Sequence, residues 1–181
     1  MTGPTLTTER LVLTPVSAAD FDDHAALWSD KAFAGPLMGR TLEAEDVWFR
    51  LLRDIGGWAA LGYGNFSLRL KADGAYVGGV GVFDYRRNLD PPFADPEAGW
   101  GLAPAFHGQG LALEALTAVL AWADQAVAAP HTVCMIAPSN TASLRLAARV
   151  GYRPYHQTRY RDAPIVLLQR PRAAGGDVGG H

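Results

Sequence analysis

The sequence predicts a single α/β (α+β) domain: a mixed, mostly antiparallel sheet with helices on both faces. Three observations carry this. Short strand patterns and helical patterns follow one another in the order β, α, α, three strands, α, β, α, β, β. Ala72-Asp73-Gly74 between two alternating runs is a hairpin signal, so antiparallel pairing is expected there. The stretch Glu97–Ala115, EAGWGLAPAFHGQGLALEA, reads as a strand, a glycine-bearing turn and a helix start, and the rest of the chain is organised around it. With 181 residues and 49% hydrophobic content, one domain can bury a full core without disulfides.

Each element follows from local chemistry. Met1–Thr8 is polar and reads as a loose lead-in, whereas Arg10–Val16 carries Leu11 and Leu13 at strand spacing. Ser17 stands three residues before Asp20, a capping-box-like start for a helix with Phe21, Ala25 and Trp28 on one face. Gly35, Pro36 and Gly39 break the pattern. Thr41 is the expected N-cap of a second helix, with Glu43 and Glu45 in its first turn and Val47, Trp48, Leu51, Leu52 and Ile55 at helical spacing. Gly56–Gly64 is expected to turn the chain into the hairpin strands Asn65–Lys71 and Ala75–Asp84. In the second of these, Gly78, Gly79 and Gly81 are costly unless a bulge or close packing needs them. Arg86–Pro96 is a proline-bearing loop. The helix after the glycine turn is expected from Gly108 to Val127, with Leu111, Ala115, Ala118, Val119 and Trp122 on one stripe. Thr132–Ala137 is a strand, an apolar helix stops at Gly151, and Arg153–Tyr160 and Ile165–Arg170 are closing strands. The domain is drawn as residues 1–170, and the glycine-rich residues 171–181 as a disordered tail.

Composition excludes several classes. Lys plus Arg total 16 against 18 for Asp plus Glu, a net charge of -2, which lacks the basic footprint of a nucleic-acid binder. No apolar run reaches the ~20 residues of a membrane span, and the N-terminus lacks a signal-peptide pattern. Cys134 stands alone, so neither a disulfide framework nor a cysteine zinc site is expected, and a reducing cytoplasm is the natural compartment. It has no evident paired base and reads as packing rather than a nucleophile. His24, His131, His156 and His181 show no metal-ligand spacing, so no metal site is expected.

The glycine turn is the chemical signal. Gly108 and Gly110 carry no Cβ and let backbone approach a ligand. The helix they open presents unpaired N–H groups and a positive dipole end, an anion site suited to a pyrophosphate. A Walker A loop is excluded because Leu111 follows Gly110 where Lys is needed. The dinucleotide fingerprint meets Leu113 at its third small place, and no βαβ unit opens the chain. The acyl-CoA loop R/Q-x-x-G-x-G/A is matched at Gly110 and Ala112 and departs at His107, with Pro104 three residues before that departure. A second phrase, Asn140-Thr141-Ala142-Ser143 before a helix ending in Gly151-Tyr152, lies downstream. On these residues the chain resembles the GNAT N-acetyltransferase superfamily. Thr8-Glu9-Arg10-Leu11 further resembles the opening of its Rim-type branch, the ribosomal-protein N-terminal acetyltransferases. The resemblance runs from Thr8 to Arg170 and implies a single GNAT-type domain.

That resemblance implies acetyl-CoA as cosubstrate and direct transfer to a primary amine, preferably the α-amine of a peptide or protein. A small-molecule amine such as an aminoglycoside is the alternative acceptor, and a catalytically silent CoA-binding regulatory module is the rival of another class. It places the pyrophosphate on His107, Gly108, Gln109, Gly110, Leu111 and Ala112. Leu102 is expected to pair with the thioester arm and to polarise its carbonyl through a backbone N–H. Asn140 is expected on the pantetheine amides. Glu97 is the expected base, acting through water, with Asp84 and Asp95 as weaker substitutes. Many relatives carry a tyrosine where this chain has Leu146, so Ser143 is the expected hydrogen-bond donor to the leaving thiolate. Each also has a structural reading: a strand-end ion pair for Glu97, helix capping for Asn140 and Ser143, packing for His107. Asp22, Asp23, Glu43, Glu45 and Asp46 either face a cationic acceptor or are solvated helix faces. Trp58, Trp100 and Tyr63 either line the acceptor pocket or belong to the core. Relatives often pair as homodimers; neither nucleic acid nor membrane is an expected partner.

Overall fold

The computed structural model describes residues 3–173. Eight strands form one sheet: β1 (Leu6–Thr7), β2 (Leu11–Pro15), β3 (Asn65–Leu70), β4 (Tyr76–Phe83), β5 (Glu97–Leu102), β6 (His131–Ile136), β7 (Arg153–Tyr160) and β8 (Ala163–Pro171). They are ordered β1-β2-β3-β4-β5-β6-β8-β7, and every neighbouring pair is antiparallel except β5 with β6. Five α-helices complete the fold: α1 (Phe21–Ser29), α2 (Lys31–Met38), α3 (Ala44–Leu61), α4 (Leu111–Ala126) and α5 (Thr141–Arg149).

Side chains alternate across a strand, so β5 itself shows which helices flank it. A Cβ on Gly101 would stand 3.0 Å from the Phe33 ring of α2, whereas the Trp100 indole reaches Ser143 of α5. Helices α2 and α5 therefore lie on opposite faces. The main core joins Leu11 and Leu13 of β2, Phe66 and Leu68 of β3, Val80 and Val82 of β4, and Leu111, Ala115, Leu116 and Val119 of α4. The strand glycines are packing sites. A Cβ on Gly78, beside a register shift at Leu68/Arg69, would fall 2.3 Å from the Gly101 carbonyl, and one on Gly81 2.6 Å from the Asn65 backbone.

Several local expectations are revised. The polar lead-in contains β1, whose Leu6 pairs with Leu13. An additional helix, α2, contains Pro36. Burial of Phe33 and Ala34 against Leu27 outweighs the hydrogen bond that proline forgoes, and left-handed Gly39 then stops the helix. Glu43, not Thr41, occupies the N-cap of α3. That helix continues through Gly56 and Gly57 to a left-handed Gly62, because Trp58 is buried beyond them and donates to the Asn65 carbonyl at 2.7 Å. Helix α4 starts three residues later than expected, since Gly108 and Gly110 both have positive φ (73° and 77°) and cannot continue a right-handed helix. Strand β8 extends to Pro171. The expected tail lies outside the described residues from residue 174 onward, as does His181.

Candidate active site

Strands β5 and β6 meet at one parallel pair, Glu97 with Val133, where the Val133 N–H donates to the Pro96 carbonyl at 2.9 Å. Beyond that pair they diverge. Ala103 donates to Val77 of the β4 side, so by strand alternation Gly99 and Gly101 also turn their backbone groups toward β4. Ala98, Trp100 and Leu102 turn theirs toward the opening. The result is a strand edge inside the sheet that β6 leaves open at Trp100 and Leu102, save for the Leu102 carbonyl, and such an edge can accept an extended amide-bearing chain as an added strand.

At the wide end of this opening lies the glycine turn. The positive φ of Gly108 and Gly110 is what the turn demands; space for a Cβ exists at both, so conformation rather than crowding requires glycine. Gly110 is the N-cap of α4, and its carbonyl accepts the Glu114 N–H at 3.1 Å. The amides of Leu111, Ala112 and Leu113 precede the first intrahelical bond and face outward with the positive end of the helix dipole. His107 does not reach out as a phosphate arm. Its Nε2 donates to the Leu102 carbonyl at 2.8 Å and ties the end of β5 to the loop. Gln109 likewise turns inward, donating to the Ala105 carbonyl at 2.9 Å.

The loop has a support that sequence reasoning missed. Arg10, remote in the chain, donates to the Gln109 carbonyl at 2.9 Å and pairs with Glu114 through Nε and Nη2 at 2.8 and 2.7 Å. Thr8 donates to the same carboxylate at 2.5 Å. Burial opposes ionisation of Glu114, but these hydrogen bonds prevail and hold its pKa below the ordinary value. The motif Thr8-Glu9-Arg10-Leu11, read as a branch marker, thus has a mechanical role. It braces the glycine turn from the β1–β2 turn.

At the narrow end sits Glu97, 5% exposed. Its Oε2 accepts from Arg87 Nε, and Arg87 Nη1 donates to the Tyr160 hydroxyl at 3.3 Å. The ion-pair reading of Glu97 is therefore present in the structure. Its Oε1 has no hydrogen-bond partner among the described residues and remains available to water. Burial pushes the carboxyl above its ordinary value against the pull of Arg87.

Asn140 caps α5, its side chain accepting the Ser143 N–H at 3.0 Å. Ser143 Oγ accepts from the Trp100 indole at 3.3 Å, which leaves its hydroxyl hydrogen to donate elsewhere. Glu97 and Leu102 are five residues apart on a strand, about 17 Å. The Trp100 backbone N–H lies between them, and its indole reaches Ser143, so it joins Leu102 as an oxyanion-donor candidate. Leu102 stays on the edge that faces the opening.

Other candidates separate cleanly. Trp58 is core, stacked edge-on with Phe66, and Trp100 lies on the α5 face. Tyr63 is half-buried against the core. Asp23 is paired with Arg69 and Asp46 with Arg40, while Asp22, Glu43 and Glu45 are exposed. Cys134 is buried, which raises its thiol pKa far above the reactive range. Among the described residues, no helix is long and apolar enough to cross a membrane, and no cluster of His, Cys, Asp or Glu is placed to hold a metal.

Comparison with known proteins agrees with this geometry. The family model described as Acetyltransferase (GNAT) domain matches residues 10–153. A protein assigned to the GnaT acetyltransferase family from Bordetella pertussis is similar at 38% identity and TM-score 0.83, over 92% of this chain and 99% of that one. RimL, the ribosomal L7/L12 alpha-N-protein acetyltransferase, solved in complex with coenzyme A, shares the fold at 15% identity and TM-score 0.75, over 94% and 98% of the two chains. So does AAC(6')-Ib in complex with parmomycin and acetyl-CoA, at 16% identity and TM-score 0.74, over 91% and 94%. An open strand edge, a glycine turn at a helix N-terminus and a whole-domain match agree: this chain belongs to the GNAT acetyltransferase family and is an acetyl-CoA-dependent acetyltransferase.

Proposed function

We propose that the acceptor is a peptide or protein N-terminal α-amine, and that Glu97 and Ser143 serve the transfer. Acetyl-CoA supplies the activated acetyl group. The amides from Gly108 to Ala112 hold its diphosphate, and the Leu102 edge of β5 pairs with its amide-bearing arm, with Asn140 close by. The Trp100 backbone N–H donates to the oxygen that gains negative charge as the amine attacks the thioester carbon. Glu97 takes the amine proton through a water on Oε1. Ser143 donates a hydrogen bond to the departing sulfur, the place that Leu146 leaves without a tyrosine.

The observation that carries this reading is the single Glu97–Val133 pair at which β5 and β6 part, which sets one raised-pKa carboxylate at the inner end of the opening. Such a carboxylate is a modest base. An α-amine, pKa ~7.7–8.0, is about a tenth neutral at pH 7, whereas a lysine near ~10.4 is under a thousandth neutral, so the α-amine asks less of it. The alternative acceptor is a small-molecule amine; the acceptors in the printed names of the fold neighbours include both kinds. A silent CoA-binding module is the rival favoured by the Arg87 pairing of Glu97 and by Leu146. Coenzyme A release measured against peptides, lysine-only peptides, polyamines and aminoglycosides decides. The reading expects turnover highest on free peptide α-amines and lost on N-terminally blocked ones. Coenzyme A binding without turnover on any amine contradicts it and favours the silent module. A single buried cysteine is consistent with a cytoplasmic enzyme.

A further inference from the structure

Beside Glu97 the acceptor side carries a ladder of guanidiniums and aromatic rings. Arg53 of α3 lies 3.8 Å over the Tyr85 ring, Arg87 lies 5.3 Å from both the Tyr85 and Tyr160 rings, and Phe83 stacks on Tyr85 at 4.1 Å. Arg50, one helical turn before Arg53, lies 4.2 Å over Trp28 of α1. Asp54 neutralises Arg53 through two hydrogen bonds and accepts a third from the Tyr85 hydroxyl at 2.7 Å. Glu97 neutralises Arg87. Arg50 makes no hydrogen bond or ion pair with any described residue. Burial, together with repulsion from Arg53 and Arg87, destabilises its charge and outweighs the attraction of Asp54. A cleft of about 290 Å³ opens beside this ladder, lined by Arg53, Asp54, Asn65, Tyr85 and the ion pair of Asp84 with Arg86.

We infer that this face binds an oxyanion carried by the acceptor itself, a carboxylate a few bonds from the amine that is acetylated. The inference rests on the acetyl-transfer reading and narrows its substrate. Arg53, Arg86 and Arg87 are each paired, with Asp54, Asp84 and Glu97, which leaves Arg50 as the one guanidinium of this group in excess, and a half-buried guanidinium without a partner is costly. Its planar donor fork, already oriented on an indole face, matches a carboxylate in two-point geometry. The unengaged Nη2 of Arg87 lies on the same ladder and next to the base, so an anion held here brings its amine toward Glu97. A polycationic acceptor gains nothing from the unpaired Arg50 and is repelled by it. The carboxylate has two sources, an acidic side chain near a peptide N-terminus or the α-carboxylate of a free amino acid.

The test compares acceptors on the unmodified enzyme, then on Arg50→Gln. Short peptides with Asp or Glu at the first positions, the same peptides with Asn or Gln, a free amino acid and its α-carboxamide (alanine and alaninamide), and an aminoglycoside are compared by kcat/KM. The carboxylate form is expected to exceed its amide counterpart at least about tenfold, mainly through KM, in the peptide series or in the free amino acids, whichever is the source. Arg50→Gln brings the acidic acceptor down to the level of the amide while coenzyme A affinity is kept. Equal turnover of acid and amide by the unmodified enzyme, or a preference for the aminoglycoside, overturns the inference and leaves acetyl transfer standing. Turnover on no amine, with coenzyme A still bound, overturns both. Because the first comparison uses the unmodified enzyme, a poorly folding variant does not rescue the claim.

Discussion

In the proposed reading, the cofactor side and the acceptor side of this molecule are built by different means. The cofactor side is made of backbone: an unpaired edge of β5, two left-handed glycines and the first amides of α4. Its support from Arg10 and His107 acts on carbonyls, not on the ligand site itself. The acceptor side is made of side chains from α1, α3, the β4–β5 loop and the β7–β8 hairpin, gathered around Tyr85 and Glu97. A backbone site depends on a few φ angles and tolerates a change at the Arg/Gln place, here His107. A side-chain site depends on charge balance, which single substitutions upset.

The comparison breaks first at Glu97. Glu97→Gln is expected to lower kcat by about a hundredfold or more while coenzyme A affinity holds, because the carboxylate serves the amine. The variant also loses the countercharge of buried Arg87, so a lower melting temperature should accompany the kinetic loss. The pH profile separates the two effects. A base works deprotonated, and burial raises this carboxyl. The acidic limb of kcat/KM should therefore fall at a higher pH than an ordinary glutamate gives, with activity lost below it and gained above it. Rate loss without any change in that limb would assign Glu97 a structural role only.

Ser143→Ala sharpens the boundary between the two sides. The serine accepts from the Trp100 indole of β5, and in the proposed reaction it donates to the leaving sulfur. A loss of about two- to tenfold in kcat, with little change in coenzyme A affinity, is the expected size for one neutral hydrogen bond. A loss confined to stability would return Ser143 to the helix start alone.

The two sides also differ in how far they were legible in the sequence. Glu97 to Ala115 is contiguous, and strand alternation, glycine spacing and helix periodicity all act over a few residues. The loop and its helix could therefore be read directly, with an error only at the helix start. The splay of β5 from β6 was not legible, since it depends on a pairing that stops after one residue. Nor was the ladder. Trp28, Arg50, Arg53, Tyr85, Arg87 and Tyr160 are scattered over four regions, and only tertiary packing brings them together. Two weak signals existed: Arg50, Arg53 and Asp54 share a helical face, and Phe83, Tyr85 and Arg87 keep alternating past the end of β4. Helix α2 was obscured for a related reason. Pro36 argues locally against it, and only burial of Phe33 and Ala34 overrides that argument.

The central claim is that the diphosphate is held by bare amides whose geometry the two left-handed glycines set. Calorimetric titration with coenzyme A tests it most directly, on the unmodified protein, on Gly110→Val and on Arg50→Gln. The valine is disfavoured at a φ of 77° and displaces the first amides of α4, so affinity should fall at least about tenfold, while Arg50→Gln binds as the unmodified protein does. No heat with the unmodified protein, or undiminished affinity in a folded Gly110→Val, would contradict the account.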